Sequence, residues 1–347
     1  MRLVFIQHSG EYLGGAFLKL PKKLLIQMLK QMIEIRTFEE KIMDMYARGE
    51  AVGVIHLSIG QEAVAVGTCA NLKRDDFVAS THRGHHHCIA KGGDVKLMMA
   101  ELFARRTGYC KGKGGSMHII APDISFVASG IAGSGIPIAI GAALSAKLRQ
   151  SGQIAVSFFG DGSSNQGFFH EGLNFASLHK LPVIFVCENN LYGLSVSQKR
   201  HQPIVDIAGR ASSYNMPGVV VDGNDVVAVY QAVGEAVNQA RGGKGPTLIE
   251  CKTYRWRGHH EGDPSRGIRY RTKEEMAQWE AKCPIKRLAQ KLLAEKIIDE
   301  SEFEQMKSDA QALIEEAVTY AKESPYPEPA DLLSDLYADE DKKGQKQ

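Results

Sequence analysis

The stretch that decides the fold runs from Phe158 to Gly193 and reads "FFGDGSSNQGFFHEGLNFASLHKLPVIFVCENNLYG". An apolar run ends in a glycine-rich corner, a helical segment follows, and a second apolar run ends in two asparagines. Because a right-handed crossover unit usually spans about 30 residues, the two runs are predicted to be parallel strands. Asp161 and Asn190 then follow neighbouring strands, whose backbones lie about 5 Å apart, at the sheet edge where α/β proteins bind ligands.

The same alternation of strands and helices continues on both sides of this stretch. Strands are predicted for "FVAST", "QIAVSFFG", "PVIFVCE", "GVVVDG" and "PTLIECKTY", with helical patterns between them. The pattern predicts an α/β fold whose mostly parallel sheet is covered by helices on both faces. Apolar spacing also predicts a helix from Leu20 to about Tyr46 and C-terminal helices after Lys273.

Composition divides the chain into three parts. Residues 1–18 are predicted to be a loose extension, residues 19–335 a single α/β domain with C-terminal helices, and residues 336–347 a disordered charged tail. Residues 255–273 show no apolar periodicity and are predicted to form a long polar loop. The last part of the domain is therefore predicted to be helical, with this loop separating it from the sheet.

Charge and cysteine content exclude several classes of partner. The chain has 347 residues and a formal net charge of +2, which is no excess for holding nucleic acid or an anionic membrane. No apolar run approaches the roughly 18 residues of a membrane span. The six cysteines are widely spaced and form no C-x-x-C pair, so neither a disulfide framework nor a zinc site is indicated. A cytoplasmic location is predicted.

Asp161 and Asn190 offer hard oxygen ligands, which suit Mg²⁺ or Ca²⁺. Mg²⁺ usually takes few protein ligands and fills its remaining positions with phosphate and water, so a metal-bridged diphosphate is predicted. Gly160 and Gly162 flank Asp161 and let the backbone approach the ligand. A helix predicted to begin near Gln166 directs its N-terminus, which favours anions, at the same place.

Two interpretations from other classes remain open. A nicotinamide-linked oxidoreductase would use Gly160, Gly162 and Gly167 as its phosphate-binding glycines. Their spacing differs from G-x-G-x-x-G, and Asp161 would repel a diphosphate unless a cation intervened. The second alternative is a cofactor-binding chain without catalysis of its own. Cofactor titration distinguishes the first, and activity with a partner chain distinguishes the second.

The G-D-G corner followed about thirty residues later by "ENN" resembles the thiamine-diphosphate signature. From about Leu24 to the C-terminal helices, the chain resembles the α subunit of the E1 component of 2-oxo-acid dehydrogenase complexes, of the pyruvate and acetoin type. The resemblance implies a thiamine-diphosphate-binding fold. It also implies a Mg²⁺ ion held by Asp161, Asn190 and the backbone carbonyl of Tyr192.

The resemblance assigns further residues to the cofactor. His82 and Arg83 match a pair that contacts the diphosphate, and bidentate phosphate recognition suits an arginine. Gly130 and Ala132, in "SGIAGSGIP", match a loop whose backbone holds the aminopyrimidine. The cofactor-binding residues implied in full are His82, Arg83, Gly130, Ala132, Asp161, Gly162, Ser163, Asn190, Tyr192 and His259.

Two histidines are candidates for catalysis. His56, in "VIHLSIGQEA", matches a histidine at the substrate end of the cofactor, and His259, in "YRWRGHHEGDP", matches one that assists acyl transfer to lipoamide. An unperturbed pKa near 6.5 suits proton transfer. For each, the alternative is an ordinary structural or solvated histidine.

The segment "STHRGHHH" also raises the question of a second metal site. It contains His82, His85, His86 and His87. A strand end followed by a turn seldom presents consecutive histidines in tetrahedral geometry, and no cysteine or acid completes a ligand set. The sequence therefore favours a role other than metal binding for these histidines.

The function implied is an oxidoreductase α subunit that cleaves pyruvate or acetoin and transfers the acyl group to the lipoyl group of an E2 acyltransferase. Branched-chain 2-oxo acids are the alternative substrates. No glutamate matches the acid that activates the pyrimidine ring in this class, so a β subunit and an α2β2 assembly are implied. The choice among small substrates stays open at this stage.

Overall fold

The computed structural model describes residues 20–263 and 270–335. The predicted loose extension and the predicted C-terminal tail lie outside these residues, as does the middle of the predicted loop after Arg255. In the part of the chain that is described, no helix is both long enough and apolar enough to cross a membrane.

A seven-stranded sheet forms the centre of the fold, in the order β2-β3-β1-β4-β5-β9-β8. All its strand pairs are parallel except β2 with β3. A separate antiparallel pair, β6 with β7, follows β5. The strands are β1 (Phe77–Ser80), β2 (Ile120–Ala121), β3 (Phe126–Ala128), β4 (Ala155–Gly160), β5 (Val183–Asn189), β6 (Tyr192–Gly193), β7 (Val196–Ser197), β8 (Gly218–Asp222) and β9 (Thr247–Lys252).

Helices cover both faces of the sheet, as the alternating pattern predicts. The helices are α1 (Lys22–Ala47), α2 (Glu62–Cys69), α3 (His85–Ala90), α4 (Val95–Leu102), α5 (Gly135–Arg149), α6 (Gly167–Leu178), α7 (Gln198–His201), α8 (Val226–Arg241), α9 (Lys273–Glu280), α10 (Pro284–Ala294) and α11 (Glu300–Glu323). Short 3-10 segments span Asp161–Asn165 and Ile207–Tyr214.

Strand β5 shows how the two faces are filled. Its alternate side chains Ile184 and Val186 belong to a core shared with α1, α2, α4, α8, α10 and α11. Val183, Phe185 and Cys187 point the other way, into a second core with α5, α6 and the 3-10 segment after β7. A strand buried on both faces reads as a continuous apolar run, which is why "PVIFVCE" shows no alternation.

Two local features differ from the sequence prediction. The strands β2 and β3, of two and three residues, were not predicted, because such short runs carry almost no periodicity. The segment after "HRG" was predicted to be a turn, but His85–Ala90 forms helix α3 and all its side chains are buried. The three consecutive histidines therefore belong to the core side of the sheet rather than to a surface turn.

Candidate active site

A cavity of about 310 Å³ opens at the carboxyl ends of β1, β4 and β5. It is lined by every residue that the sequence assigned to the site: His56, His82, Arg83, Gly130, Ala132, Asp161, Gly162, Ser163, Asn190, Tyr192 and His259. These residues come from segments widely separated in sequence. The structure therefore brings all the candidates together in one place, whereas their individual roles stay predictions.

The register between β4 and β5 explains why Asp161 and Asn190 meet. Gly160 pairs with Glu188, so both strands end at the same level and the following residues enter the same cavity. Asp161 is 1% exposed and begins the 3-10 turn 161–165, after which α6 begins at Gly167. The predicted crossover unit, with a helix beginning near Gln166, is confirmed.

The two consecutive asparagines have different surroundings. The Asn189 side chain donates to Glu250 Oε1 at 2.6 Å and to Gln198 Oε1 at 2.9 Å, away from the cavity. Asn190 Nδ2 donates to Gln61 Oε1 at 2.9 Å, which fixes the orientation of its amide. Asn190 Oδ1 accepts from the backbone N–H of Tyr192 at 3.4 Å and keeps a second lone pair for a ligand, while Asn189 connects β5 to β9.

Two buried arginines provide positive charge to the cavity. Arg83 is 4% exposed, and its guanidinium donates to the carbonyls of Leu57 and His259. Arg255 is 1% exposed and donates to the carbonyl of Leu194 and to the hydroxyl of Tyr270. Its Nε has no hydrogen-bond partner among the described residues. In the described chain, the hydrogen-bond partners of both guanidinium groups are neutral, so neither charge is paired with a carboxylate by a hydrogen bond.

Arg255 is a site residue that sequence analysis missed, because it lies in the segment predicted to be a polar loop. The beginning of that segment is packed rather than solvated: Tyr254 is fully buried and stacks on Trp279 at 5.4 Å. Its position three residues after the end of β9 was the available signal, since side chains that follow parallel strands meet at the ligand-binding edge.

Three histidines form one wall of the cavity. The ring of His56 lies 4.6 Å from that of His82 and 5.0 Å from that of His259. Burial, and then the charge of Arg83, lowers the pKa of His56 to about 2 and that of His82 to about 3. The same two causes, followed by the charge of Arg255, lower the pKa of His259. All three rings are therefore neutral at neutral pH.

The tautomer of His259 follows from its partner. Arg255 Nη1 lies 3.2 Å from His259 Nδ1. Since a guanidinium only donates, Nδ1 must accept, and the imidazole proton is on Nε2. His259 therefore offers an N–H donor from a ring whose orientation is fixed by an arginine.

With this geometry established, comparison with known proteins identifies the family. The model of the family described as "Dehydrogenase E1 component" matches residues 30–330. The chain belongs to the dehydrogenase E1 component family. Proteins of this family depend on thiamine diphosphate. The membership of this chain in the family confirms its resemblance to E1 α subunits and its assignment as an oxidoreductase.

Several relatives of this E1 chain match over most of their length. The α subunit of acetoin:2,6-dichlorophenolindophenol oxidoreductase from Bacillus subtilis is 49% identical over 330 residues, which cover 94% of this chain and 97% of the relative. The protein of the same name from Cupriavidus necator is 44% identical, covering 93% and 97%. The chloroplastic pyruvate dehydrogenase E1 component subunit alpha-3 of Arabidopsis thaliana is 41% identical, covering 90% and 74%.

The consecutive histidines of this E1 chain, His85, His86 and His87, lie beside acidic side chains. The expectation that no acid accompanies them is wrong, because His85 Nδ1 lies 3.0 Å from Glu39 Oε2 and His86 Nε2 lies 2.8 Å from Glu188 Oε1. Both glutamates are distant in sequence, so the pairing carried no local signal. The rings of His86 and His87 stack 3.8 Å apart at 30°. His87 Nε2 lies 3.3 Å from the same oxygen of Glu188, so His86, His87 and Glu188 form one buried cluster.

Proposed function

We propose that this chain is the α subunit of a thiamine-diphosphate-dependent E1 dehydrogenase that cleaves a small two-carbon donor, acetoin or pyruvate, and delivers the acyl unit to the lipoyl group of an E2 acyltransferase. The observation that carries the proposal is the single cavity in which oxygen ligands, buried arginines and neutral histidines lie together. Each part of this arrangement matches one chemical requirement of the cofactor.

The oxygen ligands suit a Mg²⁺ ion. Asp161 Oδ1 has no hydrogen bond to any described residue, the Asn190 oxygen is oriented by Gln61, and the backbone of Tyr192 follows two residues later. A carboxylate, an amide and a carbonyl are the hard donors that Mg²⁺ prefers, with phosphate and water completing its octahedron. This donor set fits the metal that the sequence predicts, and we propose Asp161, Asn190 and Tyr192 as its ligands.

The arginines suit a diphosphate. Arg83 and Arg255 bring two positive charges to the cavity, and the Nε of Arg255 is a donor without a partner in the described chain. The N-terminus of α6, a helix of 12 residues, follows the glycine corner. Gly162 has only the Gly193 Cα within 4 Å of a Cβ built on it, at 3.2 Å, so two glycine backbones pass close together at this point. We propose that His82, Gly162 and Ser163 line the same diphosphate site.

The remaining cavity residues face the reacting end. When bound, thiamine diphosphate supplies a nucleophilic carbon and an electron sink. We propose that the backbone around Gly130 and Ala132 holds its pyrimidine, and that His56 and His259 exchange protons with the substrate. The pKa near 6.5 expected from the sequence is not found, because burial and then the charge of Arg83 lower the pKa of both histidines and make them weak bases in the chain alone. His259 Nε2 carries a proton that it can donate in a hydrogen bond.

A β subunit is part of the proposal. Of the residues that line the cavity, only Asp161 and Glu188 are carboxylates, and Glu188 is engaged by His86. The acid that activates the pyrimidine must then come from another chain, which supports an α2β2 assembly. The relatives compared above are each named as one subunit of an enzyme. A cytoplasmic location is also proposed, and it is supported by the six cysteines being free thiols.

Reconstitution tests this function directly. The chain, combined with its β subunit, Mg²⁺, thiamine diphosphate and an artificial electron acceptor, should oxidise acetoin or pyruvate with a higher kcat/KM than 3-methyl-2-oxobutanoate. A preference for the branched substrate would overturn the proposed donor and leave the cofactor site standing.

The central metal claim has its own test. Asp161→Ala should abolish metal-dependent thiamine diphosphate binding in calorimetry, because the carboxylate is the only charged ligand of the proposed set. Circular dichroism checks that the variant is folded. Unchanged affinity in a folded Asp161→Ala variant would remove the basis of the proposed site.

A further inference from the structure

His201 contacts the predicted metal ligand Asp161, although nothing in the sequence marked it as a site residue. It is the last residue of α7, in the segment that follows the β6–β7 pair. Its Nε2 lies 3.0 Å from Asp161 Oδ2, and its side chain is 14% exposed. The contact joins residues 40 positions apart, on two different loops at the cavity edge.

A chain of hydrogen bonds decides which nitrogen of His201 carries the proton. Arg210 Nη2 donates to Asn165 Oδ1 at 3.2 Å, and because a guanidinium has no acceptor, this contact fixes the amide oxygen of Asn165. The amide nitrogen of Asn165 then faces His201, lying 3.0 Å from Nδ1 and 3.2 Å from the backbone carbonyl. An amide nitrogen only donates, so Nδ1 of His201 must accept.

The imidazole proton is therefore on Nε2, which donates it to Asp161 Oδ2. One carboxylate oxygen is thereby occupied and its plane is fixed. The other oxygen, Oδ1, has no hydrogen bond within the described chain and is left for the cavity. Partners of this kind, which orient a ligating group without touching the metal, typically change metal affinity by 10–100-fold when removed.

We infer that Arg210, Asn165 and His201 form a positioning relay that orients Asp161 for the divalent metal. The inference depends on the proposed function, since it assumes that Asp161 is the metal ligand. It adds that metal affinity in this chain is determined in part by a short helix, residues 198–201, that does not itself line the cavity.

The inference distinguishes His201 from a direct metal ligand. As an imidazole ligand, His201 would favour Mn²⁺ and Co²⁺ over Mg²⁺, because nitrogen donors bind these softer ions better. As a hydrogen-bond donor to Asp161, it should affect Mg²⁺ and Mn²⁺ by similar factors. Comparing the loss of Mg²⁺ affinity with the loss of Mn²⁺ affinity when His201 is removed therefore distinguishes a metal ligand from a hydrogen-bond donor to Asp161.

The experiment measures metal affinity on the reconstituted α and β subunits with saturating thiamine diphosphate, by calorimetric titration of Mg²⁺ and of Mn²⁺. His201→Ala should raise the Kd for both ions by 10–100-fold. His201→Gln places an amide N–H near the position of Nε2 and should recover most of the affinity. Asn165→Ala should cause a smaller loss, since it frees the ring without removing it. His179→Ala, an exposed histidine outside the cavity, is the matched control and should bind as the wild type does.

The outcomes separate the two proposals. If the wild-type assembly shows no metal-dependent binding of thiamine diphosphate, the proposed function fails. If the wild type binds and folded His201→Ala binds equally well, the relay is wrong. A loss confined to Mn²⁺ would also overturn it, in favour of direct ligation. If His201→Ala does not fold, the comparison of His201→Gln with Asn165→Ala decides: equal wild-type affinity in Asn165→Ala together with a large loss in His201→Gln contradicts the relay.

Discussion

Gly60 shows how one residue without a side chain fixes the path of the chain around the cavity. Its φ of +100° lies in the region that favours glycine, and its N–H donates to both carboxylate oxygens of Glu62, at 3.1 and 3.2 Å. A Cβ built on Gly60 would lie 2.5 Å from the carbonyl oxygen of Tyr254 and 2.5 Å from Trp256 Cδ1. The two residues on either side of Arg255 are therefore packed directly on this glycine.

Gly60→Ala should destabilise the protein by at least about 2 kcal/mol, since a left-handed conformation costs about 1–2 kcal/mol and overpacking against backbone about 1–3 kcal/mol. Urea unfolding measures the change. Gly53→Ala is the matched control: its φ is +85°, but nothing lies within 4 Å of the added Cβ. Gly53→Ala should therefore lower the free energy of unfolding only by the cost of the left-handed backbone conformation. Equal losses in the two variants would show that the close packing on Tyr254 and Trp256 contributes nothing.

At the scale of elements, a single carboxylate shapes the glycine-rich loop 108–118. Glu101, fully buried at the end of α4, accepts hydrogen bonds from the backbone N–H groups of four loop residues. The donors are Cys110, Gly112, Gly114 and Gly115, at 2.7, 2.9, 2.7 and 3.0 Å. The loop then continues into Met117, which lines the cavity. The Glu101 carboxylate therefore accepts the backbone hydrogen bonds that a helix or a strand would otherwise satisfy.

Glu101→Gln should loosen this loop, because the amide nitrogen would face N–H groups that need an acceptor. The loss should be about 1–3 kcal/mol in unfolding free energy, as for other buried groups left unsatisfied. Limited proteolysis should cut within residues 108–118 faster than in the wild type. The exposed residue Glu323 gives the control Glu323→Gln, which should match the wild type. A wild-type cleavage pattern in Glu101→Gln would mean that the glycines hold the loop without the acid.

How much the sequence predicts depends on whether the cause is local. The strands that end at Asp161 and Asn190 were predictable because apolar runs and glycine corners report local structure, and parallel strands place their carboxyl ends together. The surroundings of His85 and Arg255 were not. Glu39 lies 46 residues from His85, and no periodicity carries such a pairing. The polar residues 255–273 likewise predict a solvated loop, because the sequence does not show which groups pack around Arg255.

For the molecule as a whole, the buried histidines predict a sensitivity to acid. The pKa of His82 is lowered to about 3 and that of His87 to about 4, in both cases mainly by burial. Below their usual pKa of about 6.5, the unfolded chain binds protons that the folded chain excludes. Stability contributed by these histidines is therefore fully present above pH 6.5 and is lost as the pH falls from there towards 4.

Without cofactor, the free energy of unfolding should fall on acidification by about 1.4 kcal/mol per pH unit for each such histidine, once the pH is well below 6.5. Urea unfolding between pH 7 and pH 5 measures this slope. In His82→Gln the dependence of the unfolding free energy on pH should be weaker by the contribution of one histidine, because the glutamine amide does not titrate. Parallel curves for the wild type and His82→Gln would show that His82 takes up protons equally in the folded and the unfolded chain.

The order of strands in the sheet has a consequence for synthesis on the ribosome. Among residues 20–263 and 270–335, strand β8 pairs only with β9, which follows it in the chain, and β9 also covers the edge of β5. A nascent chain that has not yet produced residues 247–252 therefore leaves β8 without a partner and presents β5 as an open edge, to which another chain could add. Arg255 and His259 emerge directly after β9. The step that closes this edge during translation is followed at once by the residues that complete the cavity.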